Sequence, residues 1–139
     1  MNNVARGSIL LLLLLVTVTL VACGGQEAAP AAPGYTDIPA QELSRMLEEK
    51  DFLLINVHLP YQGEIAQTDL FIPFNAIEEN ASQLPPSRSA KIVVYCRSGA
   101  MSATAAETLV QWGYSNILNL DGGMIAWEEQ GYPLLQNPR

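Results

Sequence analysis

The chain has 139 residues, with 14 acidic and 7 basic side chains and a formal net charge of −7. This acidic balance argues against nucleic acid and against anionic lipid headgroups as binding partners, since both need a basic surface. A single histidine and two cysteines give no support to a metal site built from histidine clusters, and no cofactor motif is present.

The N-terminus predicts an exported, lipid-anchored protein. A weakly basic head precedes an apolar run from Ile9 to Ala22. The run is shorter than the roughly 20 apolar residues of a comfortable membrane span, but it suits the core of a signal peptide. It ends in Leu20-Val21-Ala22-Cys23, which resembles the lipobox of bacterial lipoproteins, in which the cysteine is acylated and begins the mature chain. A plain signal peptide or an uncleaved anchor remains the alternative.

This resemblance implies three regions. Residues 1–22 are expected to be a lipoprotein signal peptide, and residues 23–34 a flexible tether beginning at the lipidated Cys23. Residues 35–139 have the length of a single domain. The domain would then lie in the cell envelope, outside the cytoplasm, on a bacterial membrane that it contacts through its lipid. Acylation of Cys23 would leave Cys96 as the one thiol of the mature chain, so a disulfide cannot staple this fold.

Helix-like and strand-like stretches alternate along the first half of the domain. Pro39–Glu49 has apolar residues at helical spacing, and Phe52–Val57 is a nearly unbroken apolar run, typical of a strand buried on both faces. Ile72–Phe74 reads as a short extended piece near a sheet edge because of its proline. Ile77–Leu84 is predicted to be a short helix that stops before two prolines.

The second half continues the alternation. Lys91–Tyr95 predicts a strand, Ala100–Trp112 a helix that Gly113 ends, Ile117–Leu120 a strand and Met124–Gln130 a short helix. Alternating strands and helices predict an α/β domain with a central parallel sheet and helices on both faces. In such folds ligands bind beyond the carboxyl ends of the strands.

Cys96 follows the strand-like Lys91–Tyr95 directly and opens the run Cys96-Arg97-Ser98-Gly99-Ala100-Met101-Ser102. A thiol on a turn between a strand and a helix faces backbone N–H groups and the positive end of the helix dipole. This setting favours the thiolate, which is the nucleophilic form of the sulfur, and makes a cradle for an anion. The alternative is a buried, inert thiol.

Three segments together resemble the rhodanese-like family of sulfurtransferases. Leu53–His58 resembles the family's strand that usually ends Asp-Val-Arg, and Val94–Ser102 resembles its active-site loop, commonly Cys-Arg-x-Gly-x-Arg followed by Ser or Thr. Asn119–Trp127 resembles its Gly-Gly-x-x-x-Trp signature. The resemblance implies a rhodanese-like α/β fold and transfer of sulfane sulfur through a persulfide on Cys96, with no cofactor.

The resemblance also implies the partners and the site. A small sulfur donor, thiosulfate or a persulfide, would bind with a thiol acceptor at a loop made of Arg97, Ser98, Gly99, Ala100, Met101 and Ser102. His58 is a candidate pocket residue, with a purely structural hydrogen bond as the alternative. Ser102 is either a hydrogen-bond donor into the loop or a helix cap.

The chain departs from the family pattern at charged positions. Met101 stands where the loop usually ends in arginine, and Asn56 and His58 stand where aspartate and arginine are usual. Gly63–Asp69 replaces the common Gly-His-Ile-Pro-Gly-Ala segment. A loop that lacks this arginine is expected to bind small dianions such as thiosulfate weakly.

The sequence argues against one alternative function and leaves another open. Phosphatases of the same scaffold need an arginine six positions after the cysteine to clamp phosphoryl oxygens, and Ser102 stands there. A non-catalytic module that binds a partner or senses oxidants through Cys96 remains open.

Overall fold

The computed structural model describes residues 34–136, which form seven strands and three α-helices. The predicted signal peptide, Cys23 and nearly all of the predicted tether lie outside this range. The elements in chain order are β1 (Thr36–Ile38), α1 (Ala40–Met46), β2 (Leu53–Asn56), β3 (Glu64–Ile65), β4 (Leu70–Phe71), β5 (Ile92–Tyr95), α2 (Ala100–Gln111), β6 (Ile117–Leu120), α3 (Gly123–Glu129) and β7 (Leu134–Leu135).

Five strands form a parallel sheet in the order β1-β6-β5-β2-β4. The apolar runs that predicted strands at β2, β5 and β6 lie in its centre, and β4 lies at an edge. Strand β5, which leads into Cys96, is the middle strand, with Ile92 opposite both Leu53 of β2 and Ile117 of β6. The carboxyl end of β5 therefore lies in the middle of the row of carboxyl strand ends, where parallel α/β folds place their ligands.

Each face of the sheet is covered by helices. Helix α2 packs on one face through Ala105, Ala106 and Leu109, all of them buried. Helices α1 and α3 pack on the other face, where Leu43 and Trp127 share a core with Leu54 of β2. The predicted α/β architecture with helices on both faces is thus confirmed. Among the described residues, no helix combines the length and apolar character needed to cross a bilayer.

Two expectations about secondary structure were wrong. The predicted helix over Ile77–Leu84 is a series of turns with one 3-10 turn at Ala81–Gln83. The side chain of Asn80 donates to the carbonyl of Ala76 at 2.8 Å, and such local side-chain bonds compete with helix formation. The extended piece placed at Ile72–Phe74 begins earlier, at β4, although Ile72 and Phe74 continue its hydrogen bonds to Asn56 and Val57.

The atypical segment Gly63–Asp69 is fastened to the sheet. The buried Tyr95 hydroxyl accepts the N–H of Ile65 at 3.0 Å and lies 2.7 Å from the Thr68 hydroxyl. Burial raises the pKa of Tyr95 well above its ordinary value, so this hydroxyl stays protonated. The Asp69 carboxylate accepts the N–H of Leu54 at 2.7 Å. These hydrogen bonds give the segment, and Asp69 in particular, a structural role.

Candidate active site

Cys96 begins the loop that joins the middle strand to α2. Its sulfur accepts a hydrogen bond from the N–H of Gly99 at 3.1 Å, and the hydroxyl of Ser102 lies 3.4 Å away in donor geometry. Gly99 has a φ of 95°, a left-handed conformation that glycine adopts without steric cost and that turns its N–H back to the sulfur. Two donors therefore converge on one sulfur atom.

The hydroxyl of Ser102 also lies 3.1 Å from the carbonyl of Gly99. A hydroxyl carries one proton, so it can donate to either acceptor as the charge on the sulfur changes. Of the two roles that the sequence allows for Ser102, the structure favours a donor into the loop, because Gly99 occupies the N-cap position of α2.

The beginning of α2 supplies further donors. The bond from Ala103 N–H to the carbonyl of Gly99 is the first bond of the helical pattern. The N–H groups of Ala100, Met101 and Ser102 precede it and have no acceptor within the helix. Together with the dipole of a 12-residue helix they make the loop favourable for negative charge.

Helix α3 holds the Cys96 loop through backbone hydrogen bonds. The N–H of Met124 donates to the carbonyl of Cys96 at 2.9 Å, and that of Ile125 donates to the carbonyl of Arg97 at 3.0 Å. Gly123 makes this close approach possible, since a Cβ there would stand 2.7 Å from the Arg97 carbonyl carbon and closer still to the Cys96 oxygen. Gly123, the first residue of α3, therefore allows this helix to fix the backbone that carries the sulfur.

Cys96 itself is buried. Cys96 is 1% exposed, whereas Ser98 and Ala100 beside the Gly99 turn are exposed. Met101 is half-buried and packs against the same core cluster as Cys96. Of the two alternatives that the sequence leaves open for Cys96, burial agrees with the buried thiol, whereas the two donors on its sulfur agree with the reactive one. Cys96 is therefore almost completely covered by its surroundings, while the loop residues beside it face solvent.

The Arg97 side chain contacts α3. Its Nη1 lies 3.7 Å from Oε2 of Glu128, and both side chains are about half exposed, at 43% and 47%. Glu128 is a neighbour of the loop that sequence reasoning missed. The sequence offers one signal for this position: Glu128 follows the Gly122-Gly123 pair within the short helix that was predicted there.

His58 lies at the carboxyl end of β2, beside the strand that leads to Cys96. The N–H of the preceding residue, Val57, donates to the carbonyl of Tyr95 at 2.9 Å. The His58 side chain is buried, with 7% of the residue exposed, and neither ring nitrogen has a hydrogen-bond partner. The Asn56 side chain holds the turn, accepting the His58 N–H and donating to the carbonyl of Gly63, both at 3.0 Å.

Two cavities of about 420 and 430 Å³ lie away from this loop, on either side of Trp112. Neither is lined by a residue of the Cys96 loop. Within residues 34–136 no group of three or more metal-ligating side chains comes together.

A family model described as a rhodanese-like domain matches residues 39–130. The chain belongs to the rhodanese-like family. The match begins just before α1 and ends just after α3, so it includes the Cys96 loop and the helix that holds it.

Curated rhodanese-like relatives include enzymes named as sulfurtransferases. A sulfurtransferase from Allochromatium vinosum is 39% identical over 104 residues, which cover 71% of this chain and 94% of that protein. The probable adenylyltransferase/sulfurtransferase MoeZ from Mycobacterium tuberculosis is 33% identical over 117 residues, which cover 80% of this chain but only 29% of that protein.

Solved rhodanese-like structures show the same fold. A rhodanese-related protein from Thermoplasma volcanium has a TM-score of 0.63 and 31% identity, covering 74% of this chain and all of that one. The polysulfide-sulfur transferase from Wolinella succinogenes, described as a homodimer, has a TM-score of 0.62 and 25% identity, covering 76% of this chain and 82% of that one.

Proposed function

We propose that the protein is a sulfurtransferase that carries sulfane sulfur as a persulfide on Cys96. The observation that carries the proposal is the convergence of the Gly99 N–H and the Ser102 hydroxyl on one sulfur, at the beginning of a helix. Sulfurtransferase relatives support the general activity. The persulfide, the roles of the loop residues and the site of action belong to the proposal.

The proposed reaction has two steps. The Cys96 thiolate attacks the outer sulfur of a donor, so that a new S–S bond forms as the donor's own bond to that sulfur breaks and the reduced donor leaves. An acceptor thiolate then attacks the outer sulfur of the Cys96 persulfide and regenerates the thiolate. Neither step has a net oxidant or reductant, because the sulfane sulfur passes from one thiol to the next.

The loop stabilises the charge that this chemistry moves. In the persulfide the negative charge lies one atom beyond Sγ, toward the N–H groups of 99–102. Donors that are already oriented need no rearrangement when the charge shifts, which is how preorganised amides favour such intermediates. Ser102 lets the hydroxyl proton follow the charge between Sγ and the Gly99 carbonyl.

Steady-state kinetics test this function. With glutathione persulfide or thiosulfate as donor and dithiothreitol as acceptor, sulfide release should be catalytic and follow a ping-pong pattern, since the sulfur waits on the protein between two substrates. Parallel double-reciprocal lines are expected. Intersecting lines would mean direct transfer between the two substrates and would exclude a persulfide on the protein as an obligatory intermediate.

A non-catalytic binding or redox-sensing module is the second candidate, and the burial of Cys96 is the observation that favours it. An oxidant sensor would form a sulfenic acid, yet residues 34–136 hold no second cysteine to resolve it. Absence of turnover with every donor would support this candidate.

We also propose that the protein is lipid-anchored through Cys23 in the cell envelope. The support is the sequence Leu20-Val21-Ala22-Cys23 after an apolar run of signal-peptide length. In bacteria fed an alkyne-bearing palmitate, the full-length chain should acquire the label and sediment with membranes. Cys23→Ala should lose the label, and Cys96→Ala should keep it. Equal labelling of Cys23→Ala and the parent chain would contradict the anchor.

A further inference from the structure

The rim of the Cys96 loop offers a donor no free positive charge. Arg97 is the one basic residue between 96 and 102, and it lies 3.7 Å from the carboxylate of Glu128. Such an exposed pair adds little to stability, but the carboxylate cancels much of the attraction that Arg97 would exert on an arriving anion.

The remaining basic side chains of the described residues lie elsewhere. They are in segments that lead into the amino ends of β2 or β5, whereas the Cys96 loop lies at the carboxyl ends of the strands. These residues are Arg45, Lys50, Arg88 and Lys91. Lys50 and Lys91 are also paired with Asp69 and Asp51. His58 does not replace them, because both of its ring nitrogens are shielded from solvent.

Met101 contributes apolar surface to the loop. It lies in the first turn of α2, next to Ser102, and packs half-buried against the cluster that contains Cys96. The loop therefore combines neutral amide donors and one hydroxyl with a thioether, beside a cation that is already paired.

This charge pattern discriminates between sulfur donors. Attack of the Cys96 thiolate on thiosulfate, a dianion, collects three negative charges at the loop and releases sulfite, also a dianion. Attack on an organic hydropersulfide, R–S–SH, collects one: the S–S bond of the donor breaks, RS⁻ leaves, and Cys96–S–SH then loses its proton to solvent. Oriented amides stabilise a single developing charge well, and the hydrogen bonds of a cationic donor, which are about twice as strong, matter more as negative charge accumulates.

Resting on the sulfur-transfer function proposed above, we infer that the donor is an organic persulfide of a small thiol, and that the neutralised rim rejects thiosulfate. The net charge of −7 also repels thiosulfate at long range, and salt screens this long-range repulsion.

The test compares kcat/KM for thiosulfate and for glutathione persulfide in variants of the full chain. Met101→Arg should raise the thiosulfate-to-persulfide ratio by about tenfold or more, because a cation in the loop stabilises the three charges gathered around the sulfur during attack on thiosulfate more than the one gathered there during attack on a hydropersulfide. Glu128→Gln should raise the same ratio severalfold by releasing Arg97. Gln111→Arg, which adds an equal charge at the exposed far end of α2, should leave the ratio unchanged.

The outcomes separate the two proposals. If no donor supports turnover, the sulfur-transfer function fails. If persulfide is used but neither Met101→Arg nor Glu128→Gln raises the ratio, or if Gln111→Arg raises it equally, the inference about the donor is overturned while the function stands. Glu128→Gln, an exposed and conservative change, decides the matter if Met101→Arg does not fold.

Discussion

Replacement of Cys96 by serine is expected to reduce sulfur transfer to the rate measured without protein. Serine keeps a polar group within reach of the Gly99 N–H and the Ser102 hydroxyl, so the loop should remain folded. Its oxygen is a weak nucleophile at neutral pH without an adjacent base, and it cannot form a persulfide. The loss of activity therefore reports the sulfur itself rather than the loop around it.

Sulfide release from glutathione persulfide measures this effect, with thermal unfolding of the same sample as the control for folding. A Cys96→Ser protein that melts near the parent temperature and has no activity agrees with the account. If it keeps more than a trace of activity, the nucleophile lies elsewhere.

Gly123→Ala is expected to cost both stability and activity. Gly123 has a φ of +58°, and its added Cβ would overlap the carbonyls of Cys96 and Arg97. A left-handed conformation costs alanine about 1–2 kcal/mol, and overpacking typically adds about 1–3 kcal/mol. The backbone must separate to relieve the overlap, and the bonds from Met124 and Ile125 to the loop would lengthen.

Gly113→Ala provides the matched control. Gly113 has a φ of +89° at the end of α2, and a Cβ there meets nothing within 4 Å. It should lose only the conformational part, about 1–2 kcal/mol, with activity retained. Denaturant titration and turnover of both variants give the comparison. Equal losses of stability with full activity in both would mean that contact between α3 and the loop does not position the sulfur.

The sequence predicted the elements that are defined by local pattern. The apolar runs of β2, β5 and β6 became the centre of the sheet, because strands buried on both faces are apolar along most of their length. Helix α2 ends one residue before its predicted limit. The short outer elements were missed: β1 has two exposed residues of three, and β3 and β7 are two residues each, so neither shows a usable periodicity.

The sequence identified candidate residues for the site, but it predicted only part of how they are arranged in space. The position of Cys96 just before α2, and the approach of the Ser102 hydroxyl to its sulfur, follow from the short spacing of these residues along the strand–loop–helix segment. The pairing of Arg97 with Glu128, and the bonds from the amides of α3 to the loop, join residues more than 25 positions apart. Such contacts depend on how α3 packs on the sheet. The burial of Cys96 has the same origin, since the sulfur faces the core shared with α2.

The most direct measurement is mass spectrometry of the intact protein, and of the peptide containing Cys96, after a single turnover with glutathione persulfide and no acceptor. The account predicts one adduct of about 32 Da on Cys96. Adding dithiothreitol should remove it with release of an equal amount of sulfide, and Cys96→Ala should carry no adduct. The same adduct on Cys96→Ala, or a parent protein that remains unmodified under these conditions, would contradict the account.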